Sequence, residues 1–192
     1  MEPVSAHTAI AASREEVFDF VADLANRTAW MDHWQSEMRL AHPRASGQGA
    51  AARYRLRGRS RQWAETRIVE ADRPRRIVEA TRGGRLNLTR GEIVFELSRQ
   101  GRSLTRVEMT VWAEPGTIRE RVSERFGARG RTRRQAKVAL QRLRAVFEEQ
   151  RDEPLARATV AGWEPHKAPR FGVELADQPD VHTGSGRRAS SG

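Results

Sequence analysis

The sequence contains no cysteine, which removes disulfides, thiolate nucleophiles and cysteine-based metal sites from consideration. It has a single tyrosine, and of its 35 basic residues only Lys137 and Lys167 are lysines. No apolar run approaches the ~18 residues that a membrane-spanning helix needs. The first residues, Met1-Glu2-Pro3-Val4-Ser5-Ala6-His7, lack the basic start and apolar stretch of a secretory signal. A cytoplasmic location is the expectation that follows. The histidines His7, His33, His42, His166 and His182 have no metal-ligand spacing, so no metal is expected. Gly47-Gln48-Gly49 is followed by neither the further glycines nor the helix that a phosphate cradle requires. No cofactor is expected either.

What the chain does have is positive charge: a formal net charge of +10 and a pI near 11.4. Such a balance raises nucleic acid or an anionic membrane as partners. Two features argue against reading charge alone as function. Arginine in place of lysine, in an alanine-rich chain, is what a GC-rich coding sequence produces. The arginines are also spread along the whole length instead of being gathered in one segment.

Val4, Ala6, Thr8 and Ile10 alternate with their neighbours and predict a first strand. Ser13, with Glu16 three residues on, forms a capping-box pattern that starts a helix, and Val17, Phe18, Val21 and Leu24 give that helix one apolar stripe. A second short helix carries Trp30 and Met31. From Glu37 the period changes to two, and strands are predicted at 36–42, 50–58, 62–71, 75–82, 86–98 and 103–113. Their connections are too short for parallel crossovers, so they must form antiparallel hairpins. Gly91, inside the fifth of these, suggests a bulge or bend. A helix over 117–126 follows, then the glycines Gly127 and Gly130 as a hinge, then a long helix over 132–150. Ala136, Ala139, Leu140, Leu143, Val146 and Phe147 make the apolar stripe of that last helix.

The expected domain is therefore residues 1–150, in the α+β class, with a curved antiparallel sheet of about seven strands around a long C-terminal helix. Residues 151–192, with Pro154, Pro165, Pro169, Pro179 and a Gly/Ser-rich end, read as a mostly disordered tail. Trp163 and Phe171 are the tail residues able to pack onto the domain or a partner.

Several segments together resemble a known superfamily. They are the opening from Ile10 to Leu24 with Trp30 beyond it, Trp63 with Ile68-Val69-Glu70 and Pro74-Arg75-Arg76-Ile77, and Arg90-Gly91-Glu92-Ile93-Val94-Phe95. Gly101, Thr105-Arg106-Val107 and the helix from Gln135 to Phe147 complete the set. Their order and spacing resemble the START-like, Bet v 1-type superfamily, in its SRPBCC branch of polyketide cyclases/dehydrases and lipid transport proteins. The resemblance implies a helix-grip fold whose cavity, between sheet and helix, holds a small hydrophobic molecule such as a lipid or polyketide. It also implies that a minority of members catalyse cyclisation or dehydration there without a cofactor.

An apolar cavity calls for large side chains on the inner faces. The expected lining is Trp30, Met31 and Trp34 near the mouth, Tyr54, Trp63, Phe95, Met109 and Val111 from the strands, and Leu140 and Leu143 from the helix. For the enzymatic alternative, His33 beside Asp32, and Glu65 near Trp63, are the residues able to move a proton. A third reading is a surface adaptor for anionic membrane or RNA. It joins Arg53, Arg55, Arg57, Arg59 and Arg61, at every second position, to Arg129, Arg131, Arg133 and Arg134. The sequence does not determine the oligomeric state.

Overall fold

The first strand, β1 (Val4–Ile10), lies against the last strand of a hairpin series, β7 (Thr105–Glu114), over its whole length, Val4 opposite Val111 and Ile10 opposite Thr105. In this computed structural model residues 2–57, 62–84, 87–101, 103–117, 127–149 and 154–160 are described. The chain divides at Ala161, and all of these residues belong to its first unit, Met1–Ala161.

The capping box forms as the sequence predicts. Ser13 Oγ accepts from the Glu16 amide at 3.3 Å, and the Glu16 carboxylate accepts from the Ser13 amide at 3.0 Å. It opens α1 (Arg14–Ala22), which buries Val17, Phe18 and Val21. The Asp23 side chain then accepts from the Ala25 amide at 2.9 Å and starts a 3-10 turn, Leu24–Asn26. That turn runs directly into the short helix α2 (Arg27–Met31).

The remaining strands are β2 (Gln35–Leu40), β3 (Ala51–Leu56), β4 (Trp63–Asp72), β5 (Arg76–Gly83), β6 (Thr89–Arg99) and β8 (Thr159–Val160). They form one eight-stranded sheet in the order β1-β7-β6-β5-β4-β3-β2-β8. Every pairing is antiparallel except β2 with β8. The irregularities that bend it lie in β2, between Ser36 and Arg39 where Glu37 has a φ of 52°, and in β4, between Ile68 and Glu70. Gly91 is not a bulge: its register with β5 and β7 is continuous. A glycine is needed there because a Cβ would sit 2.5 Å from the Trp112 carbonyl oxygen and 3.0 Å from Thr81 Oγ1.

The long helix, α3 (Arg129–Glu148), starts three residues before the predicted 132, so Gly130 lies inside its first turn and does not interrupt it. Gly127, with a φ of 99°, is the residue that departs from helical backbone. The expected helix over 117–126 lies outside the described residues for 118–126. Ala136, Ala139, Leu140 and Leu143 of α3 are buried, and the helix packs on β1, β7 and α2. Phe147 meets Phe20 of α1 edge-on at 5.3 Å.

Residues 154–160 fall in the stretch read as tail, yet they run along the sheet edge. The Ala158 amide donates to the Ala25 carbonyl at 2.8 Å, and Thr28 Oγ1 donates to the Ala156 carbonyl at 2.7 Å. Arg157 pairs with Asp23 at 2.7 Å. These bonds hold the segment against the turn and α2, and its last two residues pair with the edge of β2, Thr159 opposite Arg39 and Val160 opposite Leu40. Trp163 and Phe171 lie outside the described residues. Among the described residues no helix is long and apolar enough to cross a membrane.

The close approach at Gly91 has a measurable consequence. Gly91→Ala should lower unfolding free energy by about 1–3 kcal/mol, since the backbone of β7 must move to admit the methyl group. Urea denaturation followed by circular dichroism measures this.

Candidate functional site

Strand alternation divides the sheet into two chemically different faces. The inner face, toward the helices, carries Tyr54, Ile68, Ile77, Ile93, Phe95, Met109 and Val111. With Trp30 and Met31 from α2 and Leu140 and Leu143 from α3, these form one buried cluster. Trp34 is partly buried and packs at the margin of the cluster. Trp63 is elsewhere, on the opposite face of the sheet, where Arg53 and Arg55 stack on its ring at 4.7 and 5.7 Å.

Within this apolar cluster sits an ion pair that the sequence analysis missed. Arg27, the first residue of α2, and Glu79, in the middle of β5, are each 1% exposed and bonded through Arg27 Nη2 and Glu79 Oε1. Thr66 Oγ1 donates to the other carboxylate oxygen of Glu79 at 3.0 Å. Arg27 also donates to Met31 Sδ at 3.2 Å and to the Val21 carbonyl at 3.4 Å. Its guanidinium lies over the rings of Trp30 and Phe95, 4.8 and 5.2 Å from their centroids. Trp30 and Phe95 in turn meet edge-to-face at 5.9 Å. Taking an ion out of water costs several kcal/mol, so each partner is tolerable in the core only because the other is there.

The pair was faintly legible. Glu79 occupies the same phase of β5 as Ile77 and stands opposite Ile93, so a carboxylate falls on a core position. Arg27 precedes Trp30 and Met31 by three and four residues, which places it on the apolar side of α2.

Polar atoms buried without a partner among the described residues include Arg27 Nε, Trp30 Nε1 and, on β2, Gln35 Oε1. The Tyr54 hydroxyl is pushed well above the ordinary tyrosine range, first by burial and then by the charge of Glu79, with Arg27 opposing. It stays protonated and able to donate at any physiological pH. The site thus combines an apolar shell, a fixed cation and anion, and unused donors and acceptors. That chemistry suits an apolar molecule bearing a carbonyl or hydroxyl oxygen.

His33 and Glu65 are not brought together. His33, after α2, is half-buried, with Nε2 at 3.2 Å from the Gln135 carbonyl of α3. Burial lowers its pKa below the usual 6.5, against the opposing pull of that carbonyl. Glu65 is exposed on the outer face beside Trp63. Asp32 pairs with Arg142 of α3. Among the described residues no group of three or more His, Asp or Glu is placed to hold a metal.

The outer face is charged and concave. A groove of about 920 Å³ runs over β2 to β7, with Arg53, Arg67, Arg82 and Arg90, Glu65 and Glu92, and the indoles of Trp63 and Trp112 along it. Arg53 thus belongs to this face, while Arg55 is engaged by Glu37 at 3.0 Å. Arg59 and Arg61 lie outside the described residues.

A curved, unclosed, mostly antiparallel sheet with a C-terminal helix packed on its inner face is a helix-grip architecture. A family model described as polyketide cyclase / dehydrase and lipid transport matches residues 1–148, and the chain belongs to that family. No curated protein matches the sequence. Solved structures agree in fold. A conserved protein from Geobacillus kaustophilus has a TM-score of 0.60 at 14% identity, covering 76% of this chain and 94% of its own. A protein from Thermus thermophilus has a TM-score of 0.58 at 16% identity, covering 77% of this chain and 99% of its own. A putative protein in the dynemicin biosynthetic locus has 0.54 at 13% identity, covering 78% of this chain and 48% of its own.

Two outcomes are expected from the site. Glu79→Ala should cost about 3–5 kcal/mol by stranding a buried guanidinium, whereas Arg27→Leu combined with Glu79→Leu should recover most of that loss. Paired denaturation curves test it. The second concerns pH. Because His33 has a lowered pKa in the folded state, the unfolded chain binds the proton more tightly, and stability falls as pH drops from 6.5 toward that lower value. The carboxylates held low by their partners, such as Asp19 beside Arg73, lose stability only below the ordinary carboxylate range. Thermal melts between pH 7.5 and 5 should therefore fall for the native chain and flatten for His33→Gln.

Proposed function

We propose that the chain binds a small hydrophobic molecule bearing an oxygen acceptor, held between the inner face of the sheet and α3, and that it acts as a carrier or sequestering protein. One observation carries the reading: the Arg27–Glu79 pair in an otherwise apolar cluster, with Arg27 Nε and the Nε1 of the Trp30 ring beneath it left unpaired among the described residues, as is the buried Gln35 Oε1 of β2. A core built only for stability gains nothing from such a pair, since apolar residues of the same volume do as well or better. Each unpaired buried polar atom costs a further ~1–3 kcal/mol. A ligand with an apolar body and one polar oxygen would offset these costs. Trp30, Met31, Tyr54, Phe95, Met109, Val111, Leu140 and Leu143 would surround its body, with Trp34 at the margin. Trp63 does not belong to this set. The family description, polyketide cyclase / dehydrase and lipid transport, supports the same class of ligand.

A second reading is a cofactor-independent cyclase or dehydratase using the same space. It is favoured by the family description, which names polyketide cyclase / dehydrase beside lipid transport. Glu65 faces the wrong way for that role, so this reading rests on His33 and on the protonated Tyr54 as acid–base groups.

Native mass spectrometry of the full chain, purified without denaturation, should detect a bound apolar molecule. The dye 1-anilinonaphthalene-8-sulfonate should bind and be displaced by long-chain fatty acids or aromatic polyketides. Leu143→Trp, which fills the space beside α3, should reduce dye uptake at least tenfold, with Leu140→Phe as a milder version should the first fail to fold. Dye binding that is absent, or unchanged in both folded variants, overturns the proposal.

A further inference from the structure

The outer groove takes no part in the proposed ligand site, because the sheet separates the two. One continuous register line crosses six strands on this face: Arg39, Arg53, Glu65, Arg82, Arg90 and Glu114. Adjacent strands lie ~4.8 Å apart, which sets the spacing of these charges along the line. The next line runs Ala51, Arg67, Ala80, Glu92 and Trp112, and the small side chains of Ala51 and Ala80 leave the floor open at its β3–β5 end. Trp63, on β4, stands on the other side of the charged line, so one indole flanks it near its middle and Trp112 flanks it at its β7 end.

The arginines of this groove are not tied up in ion pairs. Among the described residues, Arg39, Arg67, Arg82 and Arg90 make none, although Arg55, Arg73, Arg99, Arg106, Arg129, Arg142, Arg144 and Arg157 all do. Cations kept free beside half-buried indoles, in a concavity, form a surface that can take phosphate and a stacked ring together.

We infer that this groove binds a short single-stranded nucleic acid, with arginine on its phosphates and its bases on Trp112 and the Trp63 edge. The shape favours a strand over a bilayer, because a flat membrane surface cannot follow a concave floor. The chemistry favours a strand over a duplex: paired bases are not free to stack on the indoles. Glu65, Glu92 and Glu114 also limit how many phosphates the face accepts. Those carboxylates can instead receive hydrogen bonds from base amino groups or ribose hydroxyls.

The test is fluorescence anisotropy of the full chain with a fluorescein-labelled, mixed-sequence single-stranded RNA of 12 nucleotides. With about three phosphate contacts, affinity should fall about twentyfold when salt rises from 50 to 200 mM. The double variant Arg82→Glu/Arg90→Glu should weaken binding at least tenfold, and Trp112→Ala about tenfold. Arg133→Glu/Arg134→Glu, exposed on α3, changes the net charge equally and should leave affinity within about twofold of the native chain, as expected for charges outside the groove. A 12-base-pair duplex and phosphatidylcholine/phosphatidylserine vesicles serve as competing ligands. Circular dichroism melts verify that each variant is folded. No binding at 50 mM salt overturns the inference. So does equal loss in the α3 control, unchanged affinity in Trp112→Ala, or tighter binding of the duplex or vesicles than of the single strand.

Discussion

Arg27 and Glu79 tie the two halves of the domain's logic together. Glu79 stands at the centre of the sheet, on β5, and Arg27 begins the short helix that closes over it. Neither charge is tolerable in an apolar interior without the other, so α2 must sit where its guanidinium reaches the carboxylate. That placement brings Trp30 and Met31 into the core. It also brings Trp30 and Phe95 into contact with the guanidinium and with each other. Thr66 and Tyr54 then complete a polar island within the apolar cluster.

From that island the two faces of the sheet take separate roles. Inside, the helices bury an apolar cluster with a few fixed polar groups, an environment in which a hydrogen bond is stronger than in water. Outside, the same strands carry arginine, glutamate and tryptophan in register across the sheet. The alternation that sends Tyr54 inward sends Arg53 outward, and Ala64 and Glu65 divide in the same way. One period-two pattern therefore builds two surfaces of opposite chemistry on one scaffold.

Much of the fold was legible because it rests on local rules. Ser13 and Glu16 announced the first helix, and the alternation from Glu37 onward announced the strands. The short turns required antiparallel hairpins, and the stripe from Ala136 to Phe147 marked the helix that packs on the sheet. Much of the core followed from the same periodicity: Phe95, Met109, Val111, Leu140 and Leu143 are buried because spacing puts them there. Trp63 shows the limit. Its size suggested an inner position, but the phase of β4 is set by Ala64, Thr66 and Ile68, and these leave Trp63 on the outer face.

By itself, then, the sequence determined the class, the element order and most of the core, since these depend on residues within a few positions of one another. Only the tertiary structure decided the rest. The pairing of Arg27 with Glu79 spans 52 residues, and no local pattern encodes which buried cation meets which buried anion. The docking of residues 156–160 depends on bonds to Ala25 and Thr28 and on pairing with Arg39 and Leu40 of β2, far back in the chain. The outer line from Arg39 to Glu114 exists only through strand register, which assembles six separate segments into one row. Contacts of that range are settled by packing and charge compensation across the whole domain, and so they become visible only once it is folded.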